Sequence, residues 1–290
     1  MVSAAAAVVA ALFAVALVRR YVTRGRTNPA LLTWALSLAM FAVAATALAY
    51  GEAAGWSSGW FRVYYLFGGV LVVPWLAVGT VQIAARDRVN LRVLGVTAVI
   101  VAVVMVVPLV VAAEPTLFAT GVVVSALWGL LLLTAGRDAA PAGSIAIVAT
   151  FTAVAGFAVL AAALAGPVPT TGLPEGSDLF PAGVRSFAVA GNALGAVLVV
   201  VGSVTSALRL RGQGTPHLVV GNLLIALGVL VSASGGAFAF LGDTESHAVA
   251  FAVGVSVMYA GFARTTRPLP AAAPPPRPVT GSRSGEAQLP

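Results

Sequence analysis

The sequence contains no cysteine and no lysine. Without cysteine there is no disulfide, no thiolate nucleophile and no thiolate metal site. Without lysine no Schiff base can form, which excludes a retinal pigment and lysine-dependent covalent catalysis. All 16 basic residues are arginine, and a bias toward Arg, Ala, Val, Gly and Pro is what a GC-rich genome produces. Charge of either sign is scarce. Only 9% of the 290 residues are charged, where a soluble domain carries roughly a quarter.

What is present is apolar. Hydrophobic residues make up 60% of the chain and the mean hydropathy is +1.01. They fall in nine runs, at 2–18, 30–50, 63–84, 93–112, 116–135, 144–165, 186–208, 218–241 and 247–263. A helix needs about 20 residues to cross roughly 30 Å of hydrocarbon. At that length only helices satisfy their own backbone polar groups in lipid. The first and last runs, at 17 residues each, are the shortest. The expected fold is an all-α polytopic transmembrane bundle of about nine spans. It covers residues 1–263, followed by a disordered cytoplasmic tail at 264–290 rich in Pro and Arg.

The arginines set the orientation. Arg19, Arg20, Arg24 and Arg26 follow the first run, and Arg86, Arg88 and Arg92 the third. Arg137 follows the fifth, Arg209 and Arg211 the seventh, and Arg264, Arg267, Arg277 and Arg283 the ninth. These 14 fall on one side, leaving Arg62 and Arg185 on the other. Glu52, Glu114, Glu175, Asp178, Asp243 and Glu245 lie opposite the Arg-rich face. The positive-inside rule makes that face cytoplasmic, with the N-terminus outside and the C-terminus inside. The first run has its charges after it rather than before it, which is the order of a retained helix and not of a cleaved signal. The pI near 11.0 follows from the inner arginines and needs no nucleic-acid partner.

Arg62 and Arg185 are the two exceptions, each opening a helix that enters from outside. Both fit Arg-x-aromatic-x-x-x-Gly-x-x-Leu, a pattern that a parallel repeat or chance would produce. An outer arginine needs a partner. It snorkels to phosphate, pairs with an acid, or binds an anionic headgroup or solute. The candidate substrate-binding set is Arg62, Tyr64, Tyr65, Arg185 and Asn192. Other polar groups inside the spans are Asn222 and Gln82, and an intramembrane Asn most often bonds a neighbouring helix. Glu114, before Pro115, is expected to act at the start of the fifth span. The connection at 166–185 reads as a loop or a lid over the outer face.

Small residues mark packing faces at Gly191/Gly195, Gly228/Ser232/Gly236 and Ala252/Ser256/Ala260. Such faces also permit homo- or hetero-oligomers. Pro74 and Pro108 are expected to kink the third and fourth spans. No carboxylate, Arg or His lies at the centre of a span, which argues against proton- or sodium-coupled transport. Asp243, Glu245 and His247, and the pair Ser234 and His247, are weak metal and hydrolase candidates. No nucleotide, dinucleotide or zinc-protease motif occurs. No catalytic residue, metal or cofactor is expected, and an enzyme is disfavoured.

The segment Tyr65-Leu-Phe-Gly-Gly-Val-Leu-Val-Val-Pro-Trp-Leu-Ala-Val-Gly-Thr80 resembles uncharacterised multi-pass membrane proteins of high-GC bacteria, chiefly over the second and third spans. The resemblance implies a plasma-membrane protein and no assigned activity. Two functional expectations follow from the residues. One is a permease-like or lipid- or solute-handling protein with an outward-facing site. The other is a non-catalytic sensor, scaffold or partner subunit. Membrane lipids are the expected partners, with anionic headgroups at the Arg-rich face.

Overall fold

The computed structural model describes residues 2–23, 25–86, 88–240 and 244–265. Among these residues there are nine long helices and no strand. They are α1 (Val2–Thr23), α2 (Ala30–Ala54), α3 (Ser58–Ala84), α4 (Arg88–Val111), α5 (Thr116–Thr134), α6 (Ala139–Ala161), α7 (Ala182–Leu210), α8 (Pro216–Phe240) and α9 (Thr244–Thr265). A single turn, Gly176–Leu179, interrupts the connection between α6 and α7. Among the described residues, eight helices are long and apolar enough to cross a membrane, and α9 carries a further apolar stretch at Val249–Thr265. The tail beyond Thr265 lies outside the described residues, as do the side chains of Asp243, Glu245 and His247. Ser234 turns its hydroxyl back to the Val231 carbonyl, 2.7 Å away.

Several helices outrun their apolar runs. α3 begins at Ser58 rather than at residue 63, because the Ser57 hydroxyl caps it by accepting from the Trp60 amide at 3.3 Å. α7 begins at Ala182, and α4 at Arg88. Arginine is a good helix former, so charge marks the edge of the apolar zone and not the end of the helix. Arg62 and Arg185 thus sit inside helices that have already begun, as their fifth and fourth residues.

The bundle's outward surface is apolar. Leu12, Val103, Val104, Val107, Val110 and Phe157 are all exposed, several on one face of α4. Water would not tolerate so continuous a patch, and lipid requires it. Lipid also removes the hydrophobic drive between helices, so close packing and polar bonds must hold the bundle together. α7 is the central helix and touches α3, α4, α5, α6 and α8. Its Gly191 and Gly195 admit the α3 backbone. A Cβ at Gly191 would lie 2.9 Å from the Val70 oxygen, and one at Gly195 3.0 Å from the Val73 oxygen.

α8 and α9 pack most extensively of all. A Cβ at Gly228 would lie 2.6 Å from the Gly254 oxygen. The α9 packing face therefore runs through Gly254 and Gly261. The expected face through Ala252, Ser256 and Ala260 points away instead, with Ser256 and Ala260 exposed. The buried polar bonds that join helices are few. The Trp128 indole donates to the Ser144 hydroxyl at 2.9 Å, and the Thr33 hydroxyl donates to Gln82 Oε1 at 2.7 Å.

The expected kink at Pro74 takes a particular form. Proline has no N–H to give the carbonyl of Val70, and its ring would strike that carbonyl in a regular helix. α3 widens instead into one stretch of π-helix, Tyr65–Leu71, just before the proline. Pro108 lies near the end of α4, which remains a single helix to Val111.

Candidate functional site

The connection between α6 and α7 is not a free loop. The Ala165 amide donates to the Leu179 carbonyl at 3.0 Å, pinning its two ends together. Leu179 and Phe180 are fully buried in the core of the Arg-poor end, with Phe61, Leu66, Val70 and Phe151. The segment therefore plugs that end of the bundle.

Phe180 is the centre of the arrangement. Its ring stacks on Phe61, with centroids 5.3 Å apart, and tilts against Tyr65 at 4.7 Å. The Arg62 guanidinium lies 5.7 Å from the same ring centroid. Gly176, one turn earlier, sits so close to the Tyr65 ring that no side chain fits there. Arg62 also donates to two backbone carbonyls, Val159 and Ala162, the latter at 2.7 Å. They lie in the last turn of α6 and at its C-cap, where the final carbonyls have no partner within the helix. A cation at this end also opposes the negative pole of the α6 dipole.

Arg185 is placed differently. It pairs with Glu114, which is half exposed in the turn between α4 and α5. Of the two roles expected of Glu114 at the start of α5, capping is not taken up, since that helix has no side-chain cap and the carboxylate is turned to α7, while its charge stays beside the helix N-terminus. Asn192 lies two turns below Arg185. Its amide donates to the Gly69 carbonyl at 2.7 Å, inside the π segment of α3. Tyr64 leaves the group. Consecutive helical residues point about 100° apart, so Tyr65 faces Phe180 while Tyr64 turns to Trp56, 5.6 Å away edge to face.

The five residues thus separate into parts. Arg62 and Tyr65 share Phe180, Arg185 holds the neighbouring turn, Asn192 braces α3 from below, and Tyr64 belongs to the α2 side. Phe180 and the α6 carbonyls were missed by sequence reasoning. Phe180 lies in a Pro- and Gly-rich stretch, where nothing in the pattern marks burial.

Two small cavities lie elsewhere. One, of about 10 Å³, is walled by apolar side chains around Pro74, Trp128 and Phe151. The other, of about 30 Å³, lies toward the Arg-rich end between α2, α3, α7, α8 and α9. Neither is lined by Arg62, Tyr65, Arg185 or Asn192.

Fold and surface define an all-helical, polytopic integral membrane protein, closed at its Arg-poor end by its own chain. Comparison with protein-family models, curated proteins and solved structures finds no match.

Proposed function

We propose that this is a permease-like protein of the plasma membrane that handles a lipid or a small solute. Its N-terminus is outside, and the site at its outer mouth is built on Arg62, Tyr65, Arg185 and Asn192, with Tyr64 at its edge. One observation carries the reading. The ring lying on Arg62 and Tyr65 is Phe180, which comes from a connecting segment and not from a transmembrane helix. That segment can leave without unfolding any span, and its departure would present a guanidinium and an aromatic face to the outer medium. An anionic headgroup or solute suits such a pair. The π segment braced by Asn192 lies directly below, and such bulges recur at functional positions. The absence of charge at the centre of the spans fits an uncoupled carrier. The Arg-rich face would contact anionic lipid on the cytoplasmic side.

A second reading, a non-catalytic scaffold or partner subunit, is favoured by one fact. Arg62 and Arg185 already have protein partners. Purification in native lipid followed by mass spectrometry separates the two. The permease reading expects an anionic lipid or solute to be retained by the protein and by Phe180→Ala, and lost from Arg62→Gln combined with Arg185→Gln. A stoichiometric partner protein with no small molecule bound would overturn it.

A further inference from the structure

The cavity toward the Arg-rich end differs in kind from the outer cluster. Its lining includes Thr80 of α3, Ser203 and Ser206 of α7, and Asn222 of α8. Ser203 is seven residues from the end of α7 and Asn222 six from the start of α8. Counted from the apolar-run ends at 208 and 218, they are five and four residues in, or roughly 6–8 Å inside the apolar zone at 1.5 Å per residue. Polar side chains are uncommon there, and they face the bundle interior or a water-filled space. Here four of them, from three helices, face one space.

Their bonding leaves capacity over. The Thr80 hydroxyl donates to its own helix at Leu76, 3.3 Å away, and keeps lone pairs. Asn222 donates to the Leu218 carbonyl at 2.9 Å, which uses its amide nitrogen and not its oxygen. The remaining walls are apolar, aliphatic side chains such as Leu76 and Ile225 together with the rings of Trp34 and Phe262. Not one residue lining the space is charged.

Exposure of the lining residues increases toward the Arg-rich end. Along one face of α7, Val199 is 1% exposed, Ser203 6%, and Ser206 half-buried. These positions are one turn apart, so accessibility rises toward the cytoplasmic end of the helix.

We infer that this cavity is a binding site for a small, neutral, hydrogen-bonding solute that enters from the Arg-rich side. Hydroxyls and an amide supply both donors and acceptors, which suits a hydroxyl or amide group. The lack of any counter-charge at this depth rejects ions, whose desolvation would go uncompensated. The volume, about 30 Å³, exceeds the roughly 10–15 Å³ that one water needs. A solute of about four heavy atoms is the right scale. This site needs no movement of Phe180, so it stands whether or not the outer cluster binds anything.

The chain has no cysteine, so single cysteines can be introduced without background. Ser206→Cys and Leu208→Cys would be compared in membrane vesicles of both orientations, using a membrane-impermeant methanethiosulfonate. Leu208 lies near the same depth but is exposed on the lipid side. Ser206→Cys is expected to react at least tenfold faster than Leu208→Cys, and only from the Arg-rich side. Acetamide is expected to slow that reaction several-fold, and acetate, of equal size but charged, to leave it unchanged. In Ser206→Cys combined with Asn222→Leu the reaction should persist and the acetamide protection disappear. If Ser206→Cys is poorly folded, Thr80→Cys reads the same space. Equal reactivity of the two cysteines, reaction from the opposite side, or equal effects of acetamide and acetate would each overturn the proposal.

Discussion

Arg62→Met isolates the contact that closes the Arg-poor end. Methionine keeps an unbranched apolar stem of similar reach, so packing changes little while the guanidinium is lost. The guanidinium makes two hydrogen bonds, to Val159 and Ala162, and lies over Phe180. A hydrogen bond involving a charged group contributes about 1.5–3 kcal/mol when its partner is otherwise unsatisfied. Arg62 is half-buried near a membrane edge, where water replaces part of each bond. The contact with the α6 terminus adds about 0.3–1 kcal/mol and the ring contact about 0.5–1. With the bonds discounted by roughly half, the substitution should cost about 2–5 kcal/mol.

Arg185→Met is the internal comparison. Its partner Glu114 is 51% exposed at the side chain, and exposed ion pairs contribute about 0–1 kcal/mol. Reversible unfolding of both variants in mixed micelles measures the difference directly. Amide exchange supplies a second readout. The Ala165 amide, bonded to Leu179, should exchange faster in Arg62→Met and unchanged in Arg185→Met. A cost for Arg62→Met no larger than that for Arg185→Met would refute the assignment of Arg62 as the clamp on α6 and the plug.

Gly228→Ala should destabilise by about 1–3 kcal/mol through overpacking, since its Cβ would meet the Gly254 oxygen at 2.6 Å. Gly156→Ala, with nothing within 4 Å, should be neutral or stabilising by up to about 1 kcal/mol in the same unfolding assay. Asn192→Leu should cost about 0.6–2 kcal/mol, because it breaks a bond between helices. Asn222→Leu should cost less, because that amide bonds only its own helix, and equal costs would refute the distinction. For orientation, Ser177→Cys should react with an impermeant thiol reagent on intact cells and Gly136→Cys only after lysis. The reverse pattern would invert the topology.

The helices were legible because lipid imposes a one-dimensional rule: about 20 apolar residues, then charge. Their ends were less so. Ser57 caps α3 six residues before the apolar run begins, and capping is chemistry that hydropathy does not register. The glycines of α7 were legible as a packing face because their spacing is local. The face of α9 was not, because Gly254 and Gly261 and the Ala252-Ser256-Ala260 stripe are equally small. The partners on α8, Gly228 for Gly254 and Gly221 for Gly261, decide between them.

The candidate site shows the same limit more sharply. Arg62 and Arg185 stood out as exceptions to the charge rule, yet that rule says nothing about what they touch. Their partners are a backbone end on α6, a ring in a Pro-rich connection, and a carboxylate in another turn. Sequence separations near 100 residues join Arg62 to α6 and 71 residues join Arg185 to Glu114. No periodicity spans such distances. The same reasoning explains why the polar cavity went unseen. Thr80, Ser203, Ser206 and Asn222 are each unremarkable in their own helices, and Asn222 bonds its own backbone as an isolated membrane asparagine would. Only the packing of α3, α7 and α8 brings them to one space. The functional content of this chain therefore lies in the contacts between spans, while the spans themselves are specified almost entirely by the solvent they cross.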